Sequence, residues 1–180
     1  VSKRQTTPAV LAYVPLFPER DELLWQAGIV DGEGSITISR QERKDRVSPS
    51  FRAFVSVTNT NPNLVAPFVQ RWGGKAYKTR DAREEKKWAD SYSWYCPQLK
   101  IESFLGAVRW FLRAKREQAE IVLEFYRTKK SFKRHHGSVL GRLGGSAPLG
   151  SAEIAHRERL KRQVQLLNSK GQVARRGGAL

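Results

Sequence analysis

The apolar positions of this chain change their period several times, and each change marks an element boundary. From Asp21, the residues Leu23, Leu24, Ala27, Gly28 and Val30 or Asp31 fall at helical spacing. Asp21 is placed to cap that helix, and Gly32 and Gly34 to end it. "SITISRQ" (35–41) then alternates, with Ile36 and Ile38 on one face and Thr37, Ser39 and Gln41 on the other. After a charged hairpin loop, "ERKDRVSP", the stretch "SFRAFVSVTNT" (50–60) alternates again. Phe51, Ala53, Val55 and Val57 take its apolar face; Arg52, Phe54, Ser56 and Thr58 take the other. "NPNLVAPFVQRWGG" (61–74) reads as a short helix with Asn61 as cap, Pro62 at the first helical position and Gly73-Gly74 as the stop. "KAYKTR" and "DSYSWYC" are two more strands around the charged turn "DAREEKKWA", and Pro97 closes them. A helix over 99–112 turns Ile101, Phe104, Leu105, Val108 and Phe111 or Leu112 inward. Another over 115–127 does the same with Ala119, Val122, Leu123 and Tyr126. Residues 129–151 are basic, Gly-rich and loop-like, and a last helix is expected from the cap Ser151 to Leu167.

The order α-β-β-α-β-β-α-α-α predicts an α+β domain whose antiparallel sheet carries helices on one face. Residues 1–18, with Pro8, Pro15 and Pro18, are expected to form an N-terminal arm. Residues 19–170 are expected to form a single domain, and 171–180 a mobile basic tail. No apolar run reaches the roughly 18 residues a membrane span needs. Cys96 is alone, which excludes a disulfide framework and a multi-cysteine zinc site and leaves a small core residue. No secretory pattern opens the chain, so an intracellular protein is expected, cytoplasmic, nucleoid-associated or organellar.

Charge narrows the function. Lysine and arginine total 33 against 17 acids, a net +16. Self-repulsion of that size points to a polyanionic partner, with nucleic acid ahead of membrane because no basic amphipathic segment shows a broad apolar face. The polar sheet face read alone fits solvent and DNA equally. The net charge favours DNA, because a twisted antiparallel sheet can enter a major groove.

"WQAGIVDGEGSITI" (25–38) poses a separate question. It puts Asp31 and Glu33 at a helix C-terminus, where the dipole repels acids. They read as solvated turn residues, as partners of arginines, or as oxygen ligands for a hard divalent cation. Ala27, Gly28 and Gly32 leave a smooth stripe on which a second helix can pack closely. The stripe occurs once, so that second helix belongs to another copy in a two-fold contact, and the crowded acids then require cations.

"QAGIVDGEG" (26–34) resembles the LAGLIDADG motif of the homing endonucleases, with Gln26 for the first Leu and Glu33 for the final Asp. The resemblance continues in the β-β-α-β-β-α order that follows, in "FLRAKREQAEIVLEF" (111–125) and in "LLNSKG" (166–171). It implies an αββαββα core with a DNA-binding sheet and extra C-terminal helices. A chain with one motif resembles the homodimeric branch.

What the resemblance implies is a sequence-specific endonuclease. It would cut both strands of a long, near-palindromic DNA site by metal-dependent phosphodiester hydrolysis. A catalytically silent DNA- or RNA-binding protein of the same fold, a splicing maturase or a regulator, is the alternative. Glu33 and the carbonyl of Gly32 are the implied metal ligands, for Mg²⁺ at about two or three ions per dimer, with Ca²⁺ binding without supporting cleavage. Asp31 matches the motif's first acid and is expected to hydrogen-bond its turn. Lys115 matches the active-site lysine. Asn59 falls where a polar residue orients the water, and Asn63 is neutral where some members are basic. The implied dimer interface is Leu24, Ala27, Gly28 and Gly32. Base readers by alternation are Thr37, Ser39, Gln41, Arg43, Arg52, Phe54, Ser56, Lys78 and Arg80, with Lys75 and Tyr77 as the alternative phase of the third strand. Lys129, Lys130, Lys133 and Arg134 are expected at phosphates. "RHHG" (134–137) also admits a His-metal nuclease reading, which two adjacent histidines without a third ligand support weakly.

Overall fold

The computed structural model describes residues 19–42, 48–79, 90–136 and 149–177. In chain order these form α1 (Glu19–Glu33), β1 (Gly34–Gln41), β2 (Ser50–Asn59), α2 (Pro62–Trp72), β3 (Ala76–Thr79), β4 (Ser91–Tyr95), α3 (Ile101–Val108), α4 (Arg116–His136) and α5 (Ser151–Gly177). This is the α+β order read from the sequence. The strands form one sheet in the order β1-β2-β4-β3, antiparallel at β2–β4 and at β3–β4. Among the described residues, no helix is long and apolar enough to cross a membrane.

Two compact units divide the chain. The first comprises Val1–Ser35 and Phe54–Arg116. Its core is aromatic: Phe68 lies 5.0 Å from Trp94 and 6.2 Å from Phe104, and Trp72 meets Phe104 edge-on at 5.1 Å. Burying each such ring contributes roughly 1.5–3 kcal/mol. Asn61 caps α2 by accepting from the Asn63 amide at 3.0 Å, ahead of Pro62. Gly73 and Gly74 end α2 at φ +77° and +87°, a region costly for other residues, and the Trp94 indole donates to the Gly73 carbonyl at 2.9 Å. A polar network ties α1 to α2. Gln26 is fully buried; its amide donates to Glu22 Oε1 at 3.0 Å and its oxygen accepts from Trp72 Nε1 at 2.9 Å. Arg71 pairs with Glu22 at 3.0 Å and with Glu19 at 2.6 Å.

The second unit comprises Ile36–Ala53 and Glu117–Leu180. Its described core is Ile36, Ile38, Phe51 and Ala53 from the strands, Ala119, Val122, Leu123 and Phe125 from α4, and Leu160 and Val164 from α5. Arg157 and Glu153 form a buried ion pair, and burial lowers the Arg157 pKa against the raising effect of Glu153. Asn168 donates to the Ile36 carbonyl at 3.1 Å.

Several boundaries differ from the sequence reading. The helix α1 begins at Glu19, so Asp21 sits within the first turn, where acids oppose the positive end of the dipole. It runs through Gly32 to Glu33 and passes directly into β1 at Gly34. A Cβ at Gly34 would lie 2.6 Å from the Val30 carbonyl oxygen, so only glycine makes this loopless junction. The helix α3 is shorter than 99–112. The helix α4 continues to His136 through a stretch expected to be loop, and α5 reaches Gly177, beyond Leu167. Lys and Arg are good helix formers, and neither extension contains proline. The arm at 1–18, the loops at 43–47 and 80–89 with Arg43 and Arg80, and residues 137–148 and 178–180 lie outside the described residues.

Candidate active site

A helix C-terminus leaves carbonyls without partners and a partial negative charge. At the end of α1 both are met by one residue. Lys115 Nζ donates to the Val30 carbonyl at 2.8 Å and to the Asp31 carbonyl at 2.6 Å. Asp31 answers in the other direction. Its Oδ2 accepts from the amides of Arg113 at 2.7 Å and Ala114 at 3.2 Å, and its Oδ1 from the amide of Lys115 at 2.9 Å. Asp31, expected to hydrogen-bond its own turn, instead clamps the turn that opens α4, 82 to 84 residues away. The unfavourable acid at a helix end is explained by three amides that satisfy it.

Glu33 is left on the outside. It is exposed and has no hydrogen bond or ion pair among the described residues. Leu24 is 44% exposed, and Gly28 and Gly32 are exposed on the same helix. A Cβ at either glycine would meet nothing within 4 Å, so this chain's own packing does not require them. Ala27 departs from the expected interface: it is fully buried in its own unit, because its position points α1 inward.

Asn59, at the end of β2, accepts from the Asn61 amide at 2.8 Å through Oδ1, and its Nδ2 is a donor. The alternation of the first two strands is as expected. Ile36, Ile38, Phe51, Ala53, Val55 and Val57 are at most 3% exposed, while Gln41 and Arg52 are exposed and Thr37, Ser39, Phe54 and Ser56 half-buried. The third strand has the alternative phase. Ala76 pairs with Trp94, which pairs with the buried Val57, so Ala76 and Lys78 share that side of the sheet. Tyr77 pairs with Ser93, which pairs with Thr58, on the side of Ser56. Lys78 instead forms an ion pair with Asp90 at 2.5 Å. The polar face thus carries Tyr77 and, by parity, Lys75. Sequence reasoning omitted Ser93 and Tyr95 from it, although Thr58 Oγ1 lies 2.8 Å from Ser93 Oγ and the Tyr77 and Tyr95 rings are 6.2 Å apart. Their signal was present in the alternation of "SYSWY" once its partner strand is known.

Lys129, Lys130, Lys133 and Arg134 stand on the helix α4, not on a loop. Lys129 is half-buried, its ammonium 5.9 Å from the rings of Phe125 and Tyr126. Arg134, His135 and His136 of "RHHG" are the last residues of α4. Among the described residues, no group of three or more His, Cys, Asp or Glu is placed to hold a metal ion.

No family model matches the sequence, and no curated protein sequence matches it either. Solved structures do match. The homing endonuclease I-CvuI, in complex with the I-CreI target, aligns over 82% of each chain at 17% identity and a TM-score of 0.59. The archaeal intron-encoded homing endonuclease I-Vdi141I, complexed with DNA, covers 83% of this chain and 99% of its own at 16% identity and a TM-score of 0.53. The LAGLIDADG meganuclease I-AabMI, bound to uncleaved DNA, covers 86% of this chain and 49% of its own at 14% identity and a TM-score of 0.56.

The fold is that of the LAGLIDADG homing endonucleases. Within it, the motif helix is α1, and Gln26, which replaces a leucine of the motif pattern, is the residue that receives the Trp72 indole. On I-CvuI and I-Vdi141I the LAGLIDADG fold of this chain spans most of the neighbour; on I-AabMI it spans about half.

Proposed function

We propose that this chain is a homodimeric, divalent-metal-dependent DNA endonuclease that makes double-strand breaks at a long, near-palindromic site inside the cell. The observation that carries this reading is the two-way clamp between Asp31 and the 113–115 turn, which leaves Glu33 exposed at the end of α1. Residues that only stabilised a fold would have no need for an unpaired carboxylate at the negative end of a helix. The fold, shared with DNA-bound endonucleases, and the net charge of +16 support a duplex substrate.

The donor set suits a hard divalent cation in part. One chain offers the Glu33 carboxylate, with the Gly32 carbonyl as the expected second donor. These are hard oxygens, and they suit Mg²⁺ but do not complete its six-coordinate shell. Glu33 of a second copy, phosphate oxygens and water would complete it. Asp31 adds nothing to that shell, because three amides occupy its carboxylate. When bound, Mg²⁺ supplies an activated water and stabilisation of the departing 3′ oxygen. Lys115 holds a positive charge against the α1 carbonyls and is placed to compensate charge building on the scissile phosphate. Asn59 presents Nδ2 as a donor to a water or a phosphate oxygen. Leu24, Gly28 and Gly32 receive the partner's motif helix. The base readers are Thr37, Ser39, Gln41 and Arg52 in the second unit and Phe54, Ser56, Thr58, Lys75 and Tyr77 in the first.

Double-strand cleavage of a duplex carrying the cognate near-palindromic site, dependent on Mg²⁺ and not supported by Ca²⁺, tests this reading. Glu33→Gln should abolish cutting and leave binding intact. A Glu33→Gln protein that cuts like the wild type refutes it.

A further inference from the structure

The turn between α3 and α4 carries a cluster that the active-site reading does not use. Trp110 is 61% exposed. Two guanidiniums lie over its ring: Arg109 with Cζ 4.5 Å from the centroid, and Arg116 with Cζ 5.1 Å away. Arg113 is exposed on the same turn. An indole face attracts a cation, but two cations sharing one indole repel each other. The ring holds both guanidiniums on one side chain within cation–π distance, and a guanidinium is the group that meets a phosphate bidentately. The cluster is also anchored, since Asp31 holds the amides of 113, 114 and 115 between Trp110 and Arg116.

We propose that Arg109, Trp110 and Arg116 form a phosphate clamp. It grips the sugar–phosphate backbone of duplex DNA without reading its sequence, on the segment that also carries Lys115. The indole sets the spacing and orientation of the two arginines, and an intervening phosphodiester relieves their mutual repulsion. This inference rests on the proposed nuclease function for its ligand. It adds a backbone contact outside the sheet.

The test needs no knowledge of the target site. Binding of the full chain to a random-sequence duplex is measured over a range of salt concentrations, for wild type and for the Arg109→Gln/Arg116→Gln double variant. The slope of log affinity against log salt should fall by about one for each arginine removed. Affinity should drop several-fold on every duplex tried. Trp110→Phe gives a second readout: the exposed indole's emission should change on addition of duplex in the wild type, and this component should vanish in the variant. A double variant with unchanged slope and affinity, a loss confined to one DNA sequence, or a change in self-association without DNA would each overturn the clamp. A wild-type chain that binds no duplex would overturn the clamp and the DNA-binding reading together, which keeps the two failures apart.

Discussion

Asp31 and Glu33 are two residues apart, and the structure gives them opposite surroundings. Asp31 accepts from three amides of its own chain, whereas Glu33 is exposed. Their substitutions should therefore separate. Asp31→Ala removes a charged acceptor shared by three donors, a loss of about 2 kcal/mol once water partly replaces it at this exposed turn. It should lower the denaturation midpoint, and it should lower cleavage as well because Lys115 loses its footing. Glu33→Gln should leave the midpoint within about 0.5 kcal/mol of wild type. Chemical denaturation of both variants checks this, and an Asp31→Ala protein as stable as wild type would show that the clamp carries no weight. A sequence reading can mark this pair as unusual but cannot tell the two apart. The discriminating partners are backbone amides more than eighty positions away, and an amide has no signature in the residue type that bears it. Cys96 was easier to place, since a lone cysteine in an apolar strand context is ordinarily core, and burial here pushes its thiol up to about 12.

The elements were more legible than their ends. Strong alternation in β1 and β2 and cap signals at Asn61, Pro62 and Gly73 have local physical causes, and those readings agree with the structure. The phase of β3 was ambiguous because four residues carry too little alternation. It is settled by pairing with β4, a non-local fact. The C-terminal extensions of α4 and α5 are less legible: Gly-rich basic composition suggests a loop after 129 and a tail after 170, yet Lys and Arg favour helix. In its described part, α5 meets β1 by charge at Glu158, which lies 3.5 Å from Arg40 and bonds Lys161 of its own helix at 2.8 Å. The Lys161 hydrogen bond, helped by the charges of Arg40 and Arg162, holds the Glu158 carboxyl below its usual range. A depressed folded pKa means that this contribution is complete above the unfolded carboxylate value and is lost as pH falls through the folded one. Glu158→Gln should therefore destabilise the protein at about pH 7 and match wild type at about pH 2. Urea midpoints at the two pH values decide it, and a gap that persists in acid would point to packing instead of charge.

At the scale of the whole molecule, the glycines of α1 have no explanation within one chain. Glycine inside a helix costs about 1 kcal/mol relative to alanine, and open space surrounds a Cβ at both Gly28 and Gly32. A monomer would gain stability by replacing them. The exposed Leu24 on the same helix adds an apolar side chain without a cover. Both features make sense when a second copy of α1 crosses at close range, since a side chain at position 28 would then hold the helices apart. The two effects of a substitution have opposite signs, which makes the test sharp. Gly28→Leu should unfold at a midpoint equal to or above that of wild type at high dilution, where dimer linkage contributes least. At micromolar concentration with duplex DNA present, it should sediment as a monomer, where wild type sediments as a dimer. Under the proposed function cleavage should fall with the dimer, because each chain would contribute only its own Glu33 carboxylate to a shared site. A Gly28→Leu protein that remains dimeric and active would place the contact elsewhere on the molecule. One that fails to fold would show that position 28 is packed within its own chain.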